Sequence, residues 1–136
     1  MMNGIDTNVL LRWLFGDMLG EDVEAEMRAI RNLVRSSEAP LHVNHIVIAE
    51  TIWVLARRTK RSRAAIVTII DRILDAPEIR VQDEDAVRAA ARAFAHSTGD
   101  FSDHLIGEIN SRNGCRTTYT FDRAAARSPL FSELSR

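Results

Sequence analysis

Four acidic residues, Asp6, Glu50, Asp103 and Asp122, stand where a short α/β chain could do chemistry. Asp6 and Asp122 each follow a short β-like run, Asn3–Ile5 and Thr117–Phe121. In open α/β sheets ligands collect at the carboxyl ends of the strands, so both acids would face one crevice. Glu50 lies among Ile46, Ala49, Trp53 and Val54, its neighbours at helical spacing. Burying a lone carboxylate there is costly, so it must reach the rim or meet a cation. Asp103 falls in the first turn of a helix marked by Leu105, Ile106 and Ile109, just after Asp100. Each acid also has a plainer use. Asp6, Asp100 and Asp103 could cap helices, Asp122 could be a turn residue, and Glu50 could face solvent. Jointly, carboxylates converging on one crevice repel one another unless a cation neutralises them. Mg²⁺ or Mn²⁺ held by such acids can orient a phosphodiester and activate a water. That chemistry needs no nucleophilic side chain, and the chain has neither a G-x-S-x-G elbow nor a P-loop.

The elements that must position these acids alternate between β-like runs and helical periodicity. An apolar helix starts at Asn8 and runs to Phe15. Val23, Met27, Ile30 and Val34 mark an amphipathic helix, which Pro40 separates from a short strand at Leu41–Val43. His45 to Arg57 reads as a largely buried helix. Ser62 caps the next, with a stripe of Ile66, Ile69, Ile70, Ile73 and Leu74. A strand is expected at Ile79–Gln82, then a helix carrying Ala86, Val87, Ala90, Ala91 and Phe94 that closes near Gly99. The Leu105–Ile109 helix stops around Asn113-Gly114. Strands separated by helices predict an α/β fold whose parallel sheet is covered on both faces.

The 136 residues suit one domain and carry a formal net charge of −1 with 27% charged residues. Such a chain can fold without disulfides or a structural metal. Cys115, the single cysteine, reads as a small core residue. No stretch approaches the ~20 apolar residues of a membrane span. The start MMNGIDTN lacks the layout of a signal peptide, so a cytoplasmic protein is expected. The near-neutral total conceals a basic run, Arg57, Arg58, Lys60, Arg61 and Arg63, and an acidic stretch, Glu21–Glu26. The basic run follows the Glu50 helix and would either flank the cleft and hold phosphates or be a solvated helix end. Arg12, Arg116, Arg123 and Arg127 lie near the same motifs. Trp13 and Trp53 read as core or interface anchors rather than base-stacking platforms. His104 reads as a surface histidine, with a proton shuttle as the alternative, and His42, His45 and His96 as structural.

Four blocks in order, IDTNVLLR at Ile5–Arg12, HIVIAETIWVL at His45–Leu55, DFSDHLIG at Asp100–Gly107 and TYTFDRAAA at Thr118–Ala126, resemble the PIN-domain family. The likeness is greatest to the VapC-type toxins of prokaryotic toxin–antitoxin pairs, and it spans nearly the whole chain. It implies a single domain over 1–136, a three-layer α/β/α fold around a mainly parallel sheet. It also implies a Mg²⁺- or Mn²⁺-dependent endoribonuclease leaving 5′-phosphate and 3′-hydroxyl ends. Carried over, the acidic site is Asp6, Glu50, Asp103 and Asp122. Asp6 and Asp103 are the candidate direct ligands, and Glu50 and Asp122 complete the shell directly or through water. Thr7 and Asn8 would support Asp6 or a bound water, and Asp100 could exchange roles with Asp103. The resemblance further implies an RNA substrate, a homodimer and a cognate antitoxin, with the Val23–Val34 helix as a docking wall.

Three other readings compete. A haloacid-dehalogenase-type phosphatase also starts from an Asp after its first strand, but needs a second Asp where Asn8 stands and a phosphate-binding lysine; the only lysine is Lys60. A PIN-like module that binds RNA or protein without cutting it would not need all four acids. A DNA or flap nuclease usually carries added elements.

Overall fold

The structure is a computed structural model that describes residues 1–16 and 23–136; Glu21 and Asp22 of the acidic stretch lie outside the described residues. Three helix starts have a local side-chain cause. Asp6 accepts a hydrogen bond from the Val9 N–H at 3.0 Å and caps α1, Thr7–Phe15. After α2, Glu24–Ser36, the strand β1, Leu41–Val43, leads to α3, His45–Arg58, capped by Asn44 onto Val47 N–H at 2.9 Å. Ser62 caps α4, Arg63–Asp75, through Ala65 N–H at 3.1 Å, as the sequence predicts. These side-chain acceptors satisfy donors that a helix start otherwise leaves unpaired.

Strand β2, Ile79–Val81, pairs parallel with β1, with Leu41 opposite Ile79 and Val43 opposite Val81. Leu41, Val43, Ile79 and Val81 are buried while Arg80 faces solvent, the alternation of a sheet packed on helices. Asn3–Ile5, expected as a strand, is reduced to a single parallel bridge, Gly4 to His42. It is held by His42 N–H on the Asn3 carbonyl at 2.7 Å and Ile5 N–H on the His42 carbonyl at 3.0 Å. The helices α5, Glu84–His96, and α6, Phe101–Arg112, follow and pack together, Phe94 meeting Phe101 edge-on at 6.2 Å. Strand β3, Thr118–Thr120, pairs parallel with β4, Phe131–Glu133, across a 3₁₀ turn at Ala125–Arg127.

All strand pairings among the described residues are parallel, and helices flank them: this is the α/β class, hydrogen-bonded as two separate two-stranded ladders. The core joins Leu10 and Leu14 of α1 to Ile48 and Ile52 of α3, Ile70 and Ile73 of α4, Val87 of α5 and Leu105 of α6. Gly107 in α6 lets the C-terminal ladder close on the helices. A Cβ at that position would lie 2.5 Å from the Phe131 ring, so only a bare Cα allows β4 to lie so near.

Three expectations are corrected. Cys115 is exposed rather than in the core, because it sits just beyond the Asn113-Gly114 turn that ends α6. His104 is buried, 4% exposed, rather than on the surface. Trp53 is 52% exposed, which removes the core role and leaves that of an interface anchor, because the face of α3 that enters the core is Val47, Ile48, Thr51, Ile52 and Leu55.

Candidate active site

The acids fall into two groups. In the first, Asp6 uses Oδ1 to cap α1, which leaves its second oxygen for a ligand. Thr7, the next residue, donates its hydroxyl to Glu50 Oε1 at 2.5 Å. Glu50 lies on the solvent side of α3 and is exposed, so the cost of burying a charge in mid-helix does not arise. Asp6, Thr7, Asn8, Glu50, Trp53 and Arg58 line one open depression.

The second group gathers at the start of α6. Asp103 is half-buried there. Burial pushes its carboxyl above the ordinary 3.8, and the charges of Asp100 and Asp122 push it the same way; a backbone hydrogen bond from Asp100 and the charge of His104 offset part of this. Asp122, two residues past β3, uses Oδ1 to accept from Ala124 N–H at 2.8 Å and Ala125 N–H at 3.3 Å. It is therefore the turn residue it could have been, with one oxygen still available. Asp100 occupies the N-cap position of α6 but its carboxylate makes no capping bond; its carbonyl accepts from the N–H groups of Asp103 and His104 at 3.1 and 3.3 Å.

His104 explains how this loop is held. Its Nε2 lies 3.0 Å from the Thr98 carbonyl and 3.1 Å from Ser97 Oγ. Since the Ser97 hydroxyl donates to the Ala93 carbonyl, Nε2–H donates to Thr98 and ties down the turn that leads to Asp100. That is a structural duty in place of the proton shuttle.

The structure thus brings Asp6 to Glu50 through Thr7, and Asp103 to Asp100 and Asp122. Trp53 connects the two groups: it lines the depression of Asp6 and Glu50 and also a narrow cleft with Ala49, Arg57, Asp100 and Ser102. Sequence reasoning missed this placement, although the spacing of Glu50 and Trp53, three residues apart on one helix, already put both on one face.

Among the described residues, no group of three His, Cys, Asp or Glu side chains is gathered tightly enough to hold a metal ion. The donor set nevertheless fits a hard cation in its chemistry. It is all oxygen, and Mg²⁺ commonly takes one or two carboxylates and keeps several waters. Burial is the larger cause of the raised Asp103 pKa, and the repulsion by Asp100 and Asp122 that adds to it is one a divalent cation would relieve.

The basic run divides. Arg61 is half-buried with its guanidinium 5.0 Å from the Phe15 ring centroid. Arg63 sits 4.3 Å over Phe94 and donates to the Phe94 carbonyl at 3.0 Å. Both are tied into the fold, whereas Arg57, Arg58 and Lys60 are exposed. Arg12 pairs with Glu26 and Arg123 with Glu133, while Arg116 and Arg127 are exposed.

This ordering of acids on a parallel α/β frame has a counterpart in sequence. Residues 5–129 match the PIN domain, and the chain belongs to that family. No curated protein and no solved structure matches it. No helix among the described residues is long and apolar enough to cross a membrane.

Proposed function

We propose that the chain is a metal-dependent endoribonuclease, acting as the VapC-type toxin of a toxin–antitoxin pair in the cytoplasm. The observation that carries this reading is the match of residues 5–129 to the PIN domain, with Asp6 and Glu50 lining one depression and Asp103 held near Asp100 and Asp122. Asp6 and Asp103 would hold a Mg²⁺ or Mn²⁺ ion, and Glu50 and Asp122 would complete its shell directly or through water. When bound, the ion supplies positive charge to the phosphodiester oxygens and lowers the pKa of a water. Asp6 and Asp122 each keep one oxygen fixed by a backbone N–H, so their remaining oxygens are held in place. Thr7 fixes Glu50 Oε1 and leaves Oε2 to take the proton of the attacking water. The water oxygen bonds to phosphorus, the bond from phosphorus to the 3′ oxygen breaks, and that oxygen leaves with the electron pair and gains a proton. The products are a 5′-phosphate and a 3′-hydroxyl. Asn8 and Asp100 support the site. A homodimer and an antitoxin that covers the cleft complete the proposal.

The separation of the acids into two groups favours one second reading, a catalytically weak module that binds RNA or protein. Cleavage of total cellular RNA with fragment ends mapped, in Mg²⁺, Mn²⁺ and EDTA, decides between them. Discrete cuts bearing 5′-phosphates that vanish with EDTA and in Asp6→Asn support the nuclease. Intact RNA from a folded, partner-free preparation supports the binding module.

A further inference from the structure

Trp53 is the one residue that lines both the Asp6–Glu50 depression and the Asp100–Ser102 cleft. It is 52% exposed, on the face of α3 away from the core. The guanidinium of Arg57 lies over one face of its ring, 5.3 Å from the centroid, and Arg58 lines the depression beside it. An exposed aromatic ring with a guanidinium stacked on it, beside acids on either hand, is a surface where a base can take the place of that guanidinium and leave its positive charge for the adjoining phosphates. A base inside a duplex has both faces covered by its neighbours, so only an unpaired base can use such a surface.

We propose that Trp53 is the stacking platform for an unpaired nucleobase next to the scissile phosphate, and that Arg57 and Arg58 hold the flanking phosphates. The substrate class that follows is single-stranded RNA, including loops and bulges, rather than continuous duplex. This inference rests on the nuclease reading above and adds a specificity-determining residue to it. Trp53 stacks; the acids cut.

The test measures binding apart from cleavage. Fluorescence anisotropy of a labelled single-stranded RNA of mixed sequence, about 12 nucleotides long and so within the usual footprint of such grooves, is recorded in EDTA with wild type, Trp53→Phe and Trp53→Leu. The same strand annealed to its complement serves as the duplex probe. Trp53→Leu is expected to weaken single-strand binding about 5- to 100-fold, Trp53→Phe to restore most of it, and duplex binding to stay unchanged. Thermal melting confirms that the variants fold, and sedimentation records their oligomeric state. Unaltered single-strand affinity in Trp53→Leu overturns the inference while leaving the nuclease reading intact. A loss of affinity accompanied by conversion of a dimer to a monomer also overturns it, assigning Trp53 to an interface between copies. Failure of the wild type to bind either probe overturns the inference, while the nuclease reading is decided separately by the cleavage of total RNA.

Discussion

Thr7 donates its hydroxyl to Glu50 across 2.5 Å, tying the first turn of α1 to the middle of α3. The bond joins two residues far apart in the chain and sets the orientation of a carboxylate that is otherwise free in solvent. Removing the hydroxyl without changing the size of the side chain is therefore a direct test of Glu50. Thr7→Val is expected to lower kcat about 10- to 100-fold, in the range of lost supporting interactions at metal sites. Thr7→Ser keeps the donor and most of the rate. Single-turnover cleavage of a defined RNA checks both; equal rates for Val and Ser would remove Thr7 from the site.

Asp6 has two duties that one substitution separates. Asn caps a helix nearly as well as Asp, so Asp6→Asn should leave the melting temperature close to that of wild type. The same change removes the charge that a cation needs, and cleavage should fall by at least about 100-fold. Melting and cleavage measured on one preparation show both effects. An equally active Asp6→Asn would leave Asp6 as a cap alone.

Asp103 yields a pH prediction whose sign follows from its raised pKa. The folded chain favours the neutral acid, so this group stabilises the metal-free fold only at low pH. The contribution is lost as pH rises from the unfolded value, near the ordinary 3.8, through the higher folded value. Asp103→Asn should therefore raise the melting temperature of the metal-free chain at neutral pH and flatten its acid dependence. Mn²⁺ should raise the melting temperature of wild type and leave Asp103→Asn nearly unchanged, by linkage. Melting curves from pH 4 to 8, with and without Mn²⁺, test both; a less stable metal-free Asp103→Asn would mean that the crowding is already compensated.

The cations divide into two classes that salt dependence distinguishes. Replacing Arg57, Arg58 and Lys60 with Ala should reduce the slope of log affinity against log salt by about 2, near the 0.7 per phosphate contact of single strands. Arg63→Ala should instead lower stability, since its guanidinium donates to the Phe94 carbonyl and covers that ring. Salt titrations of RNA binding beside thermal melts separate the two. An unchanged slope in the triple variant would return those side chains to plain solvation.

Helix periodicity made most of the fold legible. The apolar stripe of α4 and its Ser62 cap are local properties, fixed by spacing within a few turns. The strands were harder, because three-residue strands leave almost no alternation to read. β4 escaped notice since Phe131 alone of its residues is buried, and its partner β3 is reached only through the turn that Asp122 caps. Asp6, Asp103 and Asp122 could be named from their positions at strand ends and a helix start, and Glu50 as a carboxylate in mid-helix among apolar neighbours. Their division into two groups could not, because it depends on how α1, α3 and α6 pack. Trp53 and His104 were misjudged for the same reason: hydropathy gives neither the face a helix turns inward nor the partner a histidine meets.

The bare Cα of Gly107 against Phe131 gives the chain a gauge at the rear of its site. Asp103 rides on α6 one helical turn before Gly107, and Asp122 follows the strand paired with the one that carries Phe131. The spacing between these two carboxylates is thus calibrated from behind, by how flush a strand sits on a helix. A methyl group inserted at residue 107 would act as a shim, so that the Phe131 ring or the strand that carries it would have to shift.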